Sequence, residues 1–302
     1  MDKYKGLEEI LSKDSIKYNE PMKKHTTMKV GGPCDCMVEP SSIEEIQKVL
    51  EYVKENNIKY YIIGNGSNLL VKDEGVHALI IKIANKFSGF EVNGEHIKAY
   101  SGCSVPKLSQ IAKENSLSGL EFACGIPGSV GGGIRMNAGA YGSEMVNVVE
   151  KVGFLDENGN LKEIDGKDAH FTYRHSMFVD NPQYVVVYAI YKLQKGNKDE
   201  ISKIMEENMN SRKQKQPIEY PNFGSVFERP EGYFVGKLVD DCGLKGYKIG
   251  GAQVSTKHSG FMINIGDATC KDVLDLIEYV KEKVYEKFNV KLQEEVVILG
   301  GN

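Results

Sequence analysis

Two spacings of apolar residues alternate along this chain. In "SSIEEIQKVLEYVKENN" (Ser41–Asn57) the apolar positions recur every three or four residues, which predicts one amphipathic helix. Ser42 followed by Glu45 predicts a capping box at its start. Short, dense apolar runs follow and predict strands: "KYYIIG", "ALIIKI" (Ala78–Ile83) and "HIKAYSG". "SVPKLSQIAKENS" returns to helical spacing, with proline in its first turn. "VNVVEKVGFLDENGNLKEI" predicts a hairpin turning at "ENGN", and "QYVVVYAIYKLQ" a long strand. From Lys195 to Pro217 the pattern becomes polar: a solvent-facing helix, ending at a proline, that marks the passage between domains. Beyond it come a helix at "YFVGKLVDDCG", strands around "GGAQVS" and "FMINI", a helix at "KDVLDLIEYVKEKVYEKF" and a last strand, "VKLQEEVVIL". No repeat or low-complexity tract interrupts this order.

One stretch fits neither spacing. "GIPGSVGGGIRMNAGAYG" (Gly125–Gly142) has seven glycines in eighteen residues. A second, shorter run, "GNGSNL" (Gly64–Leu69), follows a predicted strand. Glycine inside a regular element costs about 0.5–1 kcal/mol relative to alanine, so two such runs call for something that must approach bare backbone. A nucleoside-triphosphate loop needs lysine and Ser/Thr after its glycines, and neither run has them. A Rossmann-type dinucleotide site needs a third glycine, a following helix and an acidic residue about 20 positions on. Here Leu69 replaces that glycine and no amphipathic helix follows. What fits is a dinucleotide held by loops. Backbone amides of "GNGSN" and "GIPGSVGG" would surround a pyrophosphate, Ser67, Asn68 and Ser129 would add donors, and a flat ring would lie along "MNAGAYG". The competing reading is two tight turns at strand ends.

Composition changes this picture little. The 302 residues are 41% hydrophobic and 26% charged, and two domains suit that length. A net charge of −4 argues against a dedicated nucleic-acid partner. The longest apolar runs are strand-length, so no membrane insertion is expected, and the charged start carries no leader-like apolar segment. The six cysteines form no C-x-x-C pair and read as reduced, buried small hydrophobes of a cytoplasmic protein. His170, His175 and His258 lack metal-ligand spacing, and no metal is expected.

Eight segments, in order, carry a resemblance: "HTTMKVGG", "IIGNGSNLLV", "GLEFACGIPGSVGG", "MNAGAYG", "FTYRHSMF", "GSVFERP", "GLKGYKIGGAQVSTKHSGFMIN" and "LQEEVVILG". Together they span nearly the whole chain, which resembles the MurB family of flavoenzymes of peptidoglycan synthesis, in its shorter subclass. The resemblance implies an α+β class: the FAD-binding fold of the vanillyl-alcohol oxidase type. Two α+β subdomains would occupy residues 1–200, with a boundary near 80, and an α+β substrate domain 201–302, its last strand near the active site. It implies non-covalent FAD and NADPH as reductant. The reaction would reduce UDP-N-acetylglucosamine enolpyruvate to UDP-N-acetylmuramate, in cell wall biogenesis, by a monomer or weak oligomer.

Carried over, the FAD contacts are Gly64, Asn65, Gly66, Ser67, Asn68, Gly125, Pro127, Gly128, Ser129, Gly132 and Ala138, with Thr27 and Val30 in support. Arg174 is the cation on the substrate carboxylate, Ser225 the proton donor, and Glu295 a carboxyl of raised pKa that polarises the substrate. Tyr173, Arg229, Lys213 and Lys215 are substrate-site candidates. Taken alone, each catalytic candidate has an ordinary reading: a surface arginine, a turn serine, a solvated glutamate. The motifs, not the spacing, assign them. His25 reads as packing beside the flavin. The chain departs from the family pattern at Asn222-Phe223, Glu228, Gln293, Val297 and Arg135, and Glu228 bears most on the diphosphate contact. A flavin oxidase of the same fold and a non-catalytic sugar-nucleotide binder are the alternatives.

Overall fold

The computed structural model describes residues 2–301. Helix α1 (Leu7–Ile10) and strands β1 (Ile16–Pro21) and β2 (Pro33–Val38) open the chain. Helix α2 (Ile43–Glu55) is the first one predicted, and it buries Ile46, Val49, Leu50 and Val53, as its spacing requires. Ser42 Oγ caps it, accepting from the Glu45 N–H at 3.1 Å. The Glu45 carboxylate reaches back to the N–H and hydroxyl of Ser41, so the reciprocal half of the box sits one residue earlier than expected. Then come β3 (Tyr60–Ile63), β4 (Leu69–Val71), β5 (Val76–Lys82), β6 (Phe90–Asn93) and β7 (His96–Tyr100). Helix α3 (Val105–Glu114) is capped by Ser104 and carries proline in its first turn.

After β8 (Leu117–Ser118) the long glycine run forms a short helix, α4 (Val130–Arg135), and a small hairpin, β9 (Gly139–Ala140) with β10 (Ser143–Glu144). The predicted hairpin appears as β11 (Val149–Leu155) and β12 (Leu161–Asp165). Helix α5 (Met177–Asp180), the long β13 (Val185–Lys192), β14 (Gln194–Lys195) and helix α6 (Lys198–Lys215) follow. Helix α6 buries only Ile201, as its polar pattern predicts. The last segment holds α7 (Val235–Asp241), β15 (Lys248–Ile249), β16 (Ala252–Val254), β17 (Met262–Asn264), α8 (Cys270–Phe288) and β18 (Val297–Leu299).

The chain folds as two compact units, each discontinuous in sequence. The first comprises residues through Tyr18, Cys36–Asn65 and Ala78–Ser211. It holds β3 and the Ala78–Lys82 part of β5, which run parallel, and an antiparallel sheet of order β12-β11-β13-β7-β6. Ile97, Leu108, Val130, Ile134, Val152 and Phe178 belong to one of its cores, so α4 is part of the packing despite its glycines. Those glycines are needed there. A Cβ on Gly131 would lie 2.9 Å from Ser101 Cβ.

The second unit comprises Asn19–Asp35, Gly66–His77 and the chain from Arg212 onward. Its sheet has the order β15-β16-β17, and α8 buries Val273, Leu276, Ile277, Val280 and Val284 in the same core. Met28, Val30 and Leu70 enter that core as well, which draws two early segments into this unit. The last predicted strand is shorter than expected. Only Val297–Leu299 is a strand, and it runs parallel to β4. Just before it, the backbone serves a different partner: Gln293 O accepts from the Glu228 N–H, and the Glu295 N–H donates to Val226 O. The segment's pairing thus passes from the Val226–Glu228 stretch to β4 along its length.

Candidate active site

In the first unit the shorter glycine run begins directly after β3. A Cβ on Gly64 would fall 2.2 Å from Ser129 Oγ, so only glycine lets the two runs meet. Ser129 is buried and caps α4, its Oγ accepting from the Gly132 N–H at 3.3 Å. The amides of the long run are largely used by the protein itself. Val130 donates to Cys103 O, Gly131 to Ser101 O, Gly133 to Ser129 O and Gly128 to Ile126 O. This departs from the expected ring of donors around a pyrophosphate. The long run chiefly offers shape, and Ser129 is a position in it whose N–H meets no acceptor among the described residues. Pro127 is exposed, while Gly125 and Ala138 are half-buried.

The shorter run behaves in the opposite way. Among the described residues, none of the five successive N–H groups from Gly64 to Asn68 finds a backbone or side-chain acceptor. In the second unit Gly66 stands at φ +64°, and a Cβ there would lie within 1.9 Å of His25 O. The Gly66 carbonyl accepts from the Thr27 N–H at 3.2 Å. Thr27 Oγ1 is buried and has no hydrogen-bond partner among the described residues, an arrangement that costs about 1–3 kcal/mol unless a bound group supplies one. Within the second unit, the N–H groups of Gly66–Asn68 and the Thr27 hydroxyl together fit a phosphorylated cofactor. Val30 is buried, and its carbonyl accepts from Thr26 Oγ1. His25, read from sequence as packing, is nearly buried and bonded to Glu20 at 3.0 Å.

The catalytic candidates fall in both units. In the first, Thr172 and His175 close a tight turn by mutual backbone hydrogen bonds, leaving Tyr173 and Arg174 at its tip. Arg174 has φ +55°, its Nη2 donates to Gly139 O at 3.3 Å, and it packs over the Tyr173 ring. Tyr173 is exposed.

In the second unit Ser225 and Glu295 come together. Ser225 is exposed and pairs across an isolated bridge with Phe261, and the next residue, Val226, accepts from the Glu295 N–H at 2.9 Å. The departures at Asn222 and Phe223 have structural reasons. Phe223 is buried in the core, and Asn222 accepts from the Gly224 N–H, fixing the turn (φ +86°) that presents Ser225. Arg229 stacks on Phe234 at 4.1 Å, and Lys213 and Lys215 are exposed in the last turn of α6.

Sequence reasoning missed Asn137, and it named Asn68 as a flavin contact without its link to the last segment. Asn68 ties the glycine loop to the Glu295 carbonyl at 3.0 Å. Asn137, fully buried, bonds both Val146 and Thr172. Asn137 lies inside a quoted motif, but an asparagine among glycines reads first as a turn former. All six cysteines are free thiols. Among the described residues no His/Cys/Asp/Glu group is arranged to hold a metal, and no helix is long and apolar enough to cross a membrane.

Comparison with known proteins places this geometry. Residues 34–165 match the family model of the FAD binding domain, and residues 216–299 match that of the UDP-N-acetylenolpyruvoylglucosamine reductase C-terminal domain. Fold and loops thus define an α+β flavoprotein, the class expected from sequence. A UDP-N-acetylenolpyruvoylglucosamine reductase of Caldanaerobacter subterraneus subsp. tengcongensis is 48% identical over 294 residues, covering 97% of each chain. One from Clostridioides difficile is 47% identical over 299 residues, covering 99% of this chain and 98% of the relative. The crystal structure of the Thermus caldophilus reductase (MurB) is 34% identical and superimposes with a TM-score of 0.82, covering 94% of this chain and 98% of that one. The chain belongs to the UDP-N-acetylenolpyruvoylglucosamine reductase family.

Proposed function

We propose that this protein reduces UDP-N-acetylglucosamine enolpyruvate to UDP-N-acetylmuramate, with NADPH as reductant and FAD bound non-covalently, in peptidoglycan precursor synthesis. The observation that carries the reading is the pairing of Ser225–Val226 with Glu295, which sets a hydroxyl and a carboxyl on adjacent segments of the reductase-type C-terminal region. FAD, when bound, would supply hydride chemistry toward the enolpyruvyl group, with NADPH as the source of reducing equivalents.

Thr27, Gly64–Asn68, Ser129 and the glycines around it would hold that cofactor. Arg174 binds the substrate carboxylate through the planar fork of its guanidinium. As charge develops on the carbon next to the carboxylate, Arg174 stabilises the enediolate, and Glu295 shares a proton with it. Ser225 gives its hydroxyl proton to that carbon, forming the C–H bond of the lactyl ether. Arg229, Lys213 and Lys215 face the diphosphate, and Tyr173 the sugar. Residues 1–200 form the FAD-binding region, which also carries Tyr173 and Arg174, and residues 201–302 the substrate-binding domain, in a cytoplasmic monomer or weak oligomer.

The test is anaerobic turnover of the purified protein with NADPH and the enolpyruvyl substrate, read by mass spectrometry. A product two hydrogens heavier, formed in step with NADPH consumed, supports the assignment. NADPH loss without that product contradicts it.

A further inference from the structure

The Tyr173–Arg174 turn is held by a neighbour that no catalytic role explains. Asn137 is fully buried at φ +41°, a left-handed conformation asparagine tolerates. Its Oδ1 accepts from the Val146 N–H at 3.0 Å, and its Nδ2 donates to Thr172 O at 3.0 Å. Val146 follows the β9–β10 hairpin, whose turn is Tyr141–Gly142. Thr172 opens the turn that carries Arg174. One amide side chain therefore joins the bases of two hairpins, and the Arg174 contact with Gly139 O joins them again near the tip. Two residues earlier, Arg135 reinforces the far side: its guanidinium donates to Phe178 O, and its carbonyl accepts from Ser176 Oγ at 2.7 Å. A left-handed arginine persists only where its surroundings fix the backbone on both sides, which is the arrangement here.

We propose that Asn137, seconded by Arg135, is a positioning residue that aims Arg174 at the substrate carboxylate. This rests on the reading of Arg174 given above. Asn137 sets where the turn begins, Arg135 where it ends, and neither touches the sugar nucleotide. Arg135, a departure from the family pattern, is then a second fastening of the same turn in this chain.

The test separates the carboxylate from the rest of the ligand. Flavin-loaded protein is titrated with UDP-N-acetylmuramate, which carries the ether carboxylate, and with UDP-N-acetylglucosamine, which lacks it. The ratio of the two affinities reads engagement of Arg174. Asn137→Gly keeps the left-handed backbone and removes both side-chain bonds, and Arg135→Met replaces the guanidinium with an apolar chain of similar length. Arg174→Ala sets the fully disengaged limit. Asn137→Gly should lower the ratio about tenfold, the scale of one lost hydrogen bond, and Arg135→Met should lower it in the same direction. Flavin content and reduction by NADPH should match the wild type in both, and Arg135→Lys should recover most of the loss. If Arg174→Ala collapses the ratio while Asn137→Gly and Arg135→Met leave it unchanged, or weaken both ligands equally, the positioning role is wrong and the reading of Arg174 stands. If Arg174→Ala itself preserves the ratio, that reading fails and the proposal falls with it.

Discussion

The side-chain amide of Asn68 donates to the backbone carbonyl of Glu295 at 3.0 Å, although the two residues are 227 positions apart. Beside this bond, the Asn68 carbonyl accepts from the Val297 N–H, and β18 continues parallel to β4. Within the second unit, Asn68 and the segment carrying the candidate carboxyl are thus tied directly. Asn68→Ala should cost about 0.5–1.5 kcal/mol of stability. It should also lower both flavin affinity and the rate with the sugar nucleotide. Denaturant unfolding and flavin titration check this, and a variant that loses only one of the two functions would uncouple the loop from Glu295.

Gly66→Ala should remove the flavin before it removes the fold. The position has φ +64° and no room beside His25 O. Gly94 is the control, with φ +60° and open space around it. Its alanine variant bears the backbone cost alone, about 1 kcal/mol. Flavin absorbance per chain should fall to near zero in the first variant and stay at the wild-type value in the second. Full occupancy in Gly66→Ala would show that this glycine serves only its turn.

Much of the architecture was legible in the sequence because apolar spacing and burial agree. Helix α2, helix α3, the β11–β12 hairpin, β13 and α8 all follow their predicted patterns. The exceptions share a cause. Helix α4 lies in a run with three consecutive glycines, where intrinsic propensity argues against helix and packing against Ser101, Val105 and Met145 decides. The last strand was predicted too long because its backbone changes partner after Glu295, and a hydrophobic pattern does not say which neighbour a residue bonds. At the site, motifs placed Ser225 and Glu295 on segments that do meet. That the shorter glycine run finds no acceptors for its amides among the described residues, while the longer one spends most of its own, depends on carbonyls such as those of Ser101 and Cys103, which no local pattern reveals.

Stability should decline as pH falls below about 6.5, through His258. Burial pushes this imidazole below its ordinary 6.5, and its Nδ1 accepts from the Gly260 N–H at 3.1 Å, which requires the neutral ring. Asp240 opposes the shift and Lys245 adds to it. The unfolded chain then takes up a proton more readily than the folded one. The contribution is complete above the unfolded value of 6.5 and is lost as pH falls through the lower, folded value. Unfolding free energies of wild type and His258→Gln, measured from about pH 8 to about pH 5, should converge toward the acid end. Parallel curves would exclude His258 as the source.

Ser225 should divide the catalytic cycle. Reduction of the flavin by NADPH comes before the substrate needs its proton, so Ser225→Ala should leave that half nearly unchanged. The second half should slow by what a positioned acid supplies, about 10²–10⁴-fold. Ser225→Cys should keep more activity than Ser225→Ala, because a thiol still delivers a proton. Slow bleaching by NADPH with fast reoxidation by substrate would move the acid to Tyr173, Glu295 or a bound water.

The central claim is that this chain passes a hydride from NADPH to an enolpyruvyl sugar nucleotide through bound FAD. Anaerobic stopped-flow mixing measures it most directly. The yellow protein is first mixed with one equivalent of NADPH and then with UDP-N-acetylglucosamine enolpyruvate, while flavin absorbance is followed. The account predicts bleaching in the first mix and full recovery of colour in the second, with UDP-N-acetylmuramate formed in equal amount. Flavin that stays oxidised with NADPH, or that once reduced recovers its colour only when oxygen is admitted, would contradict it.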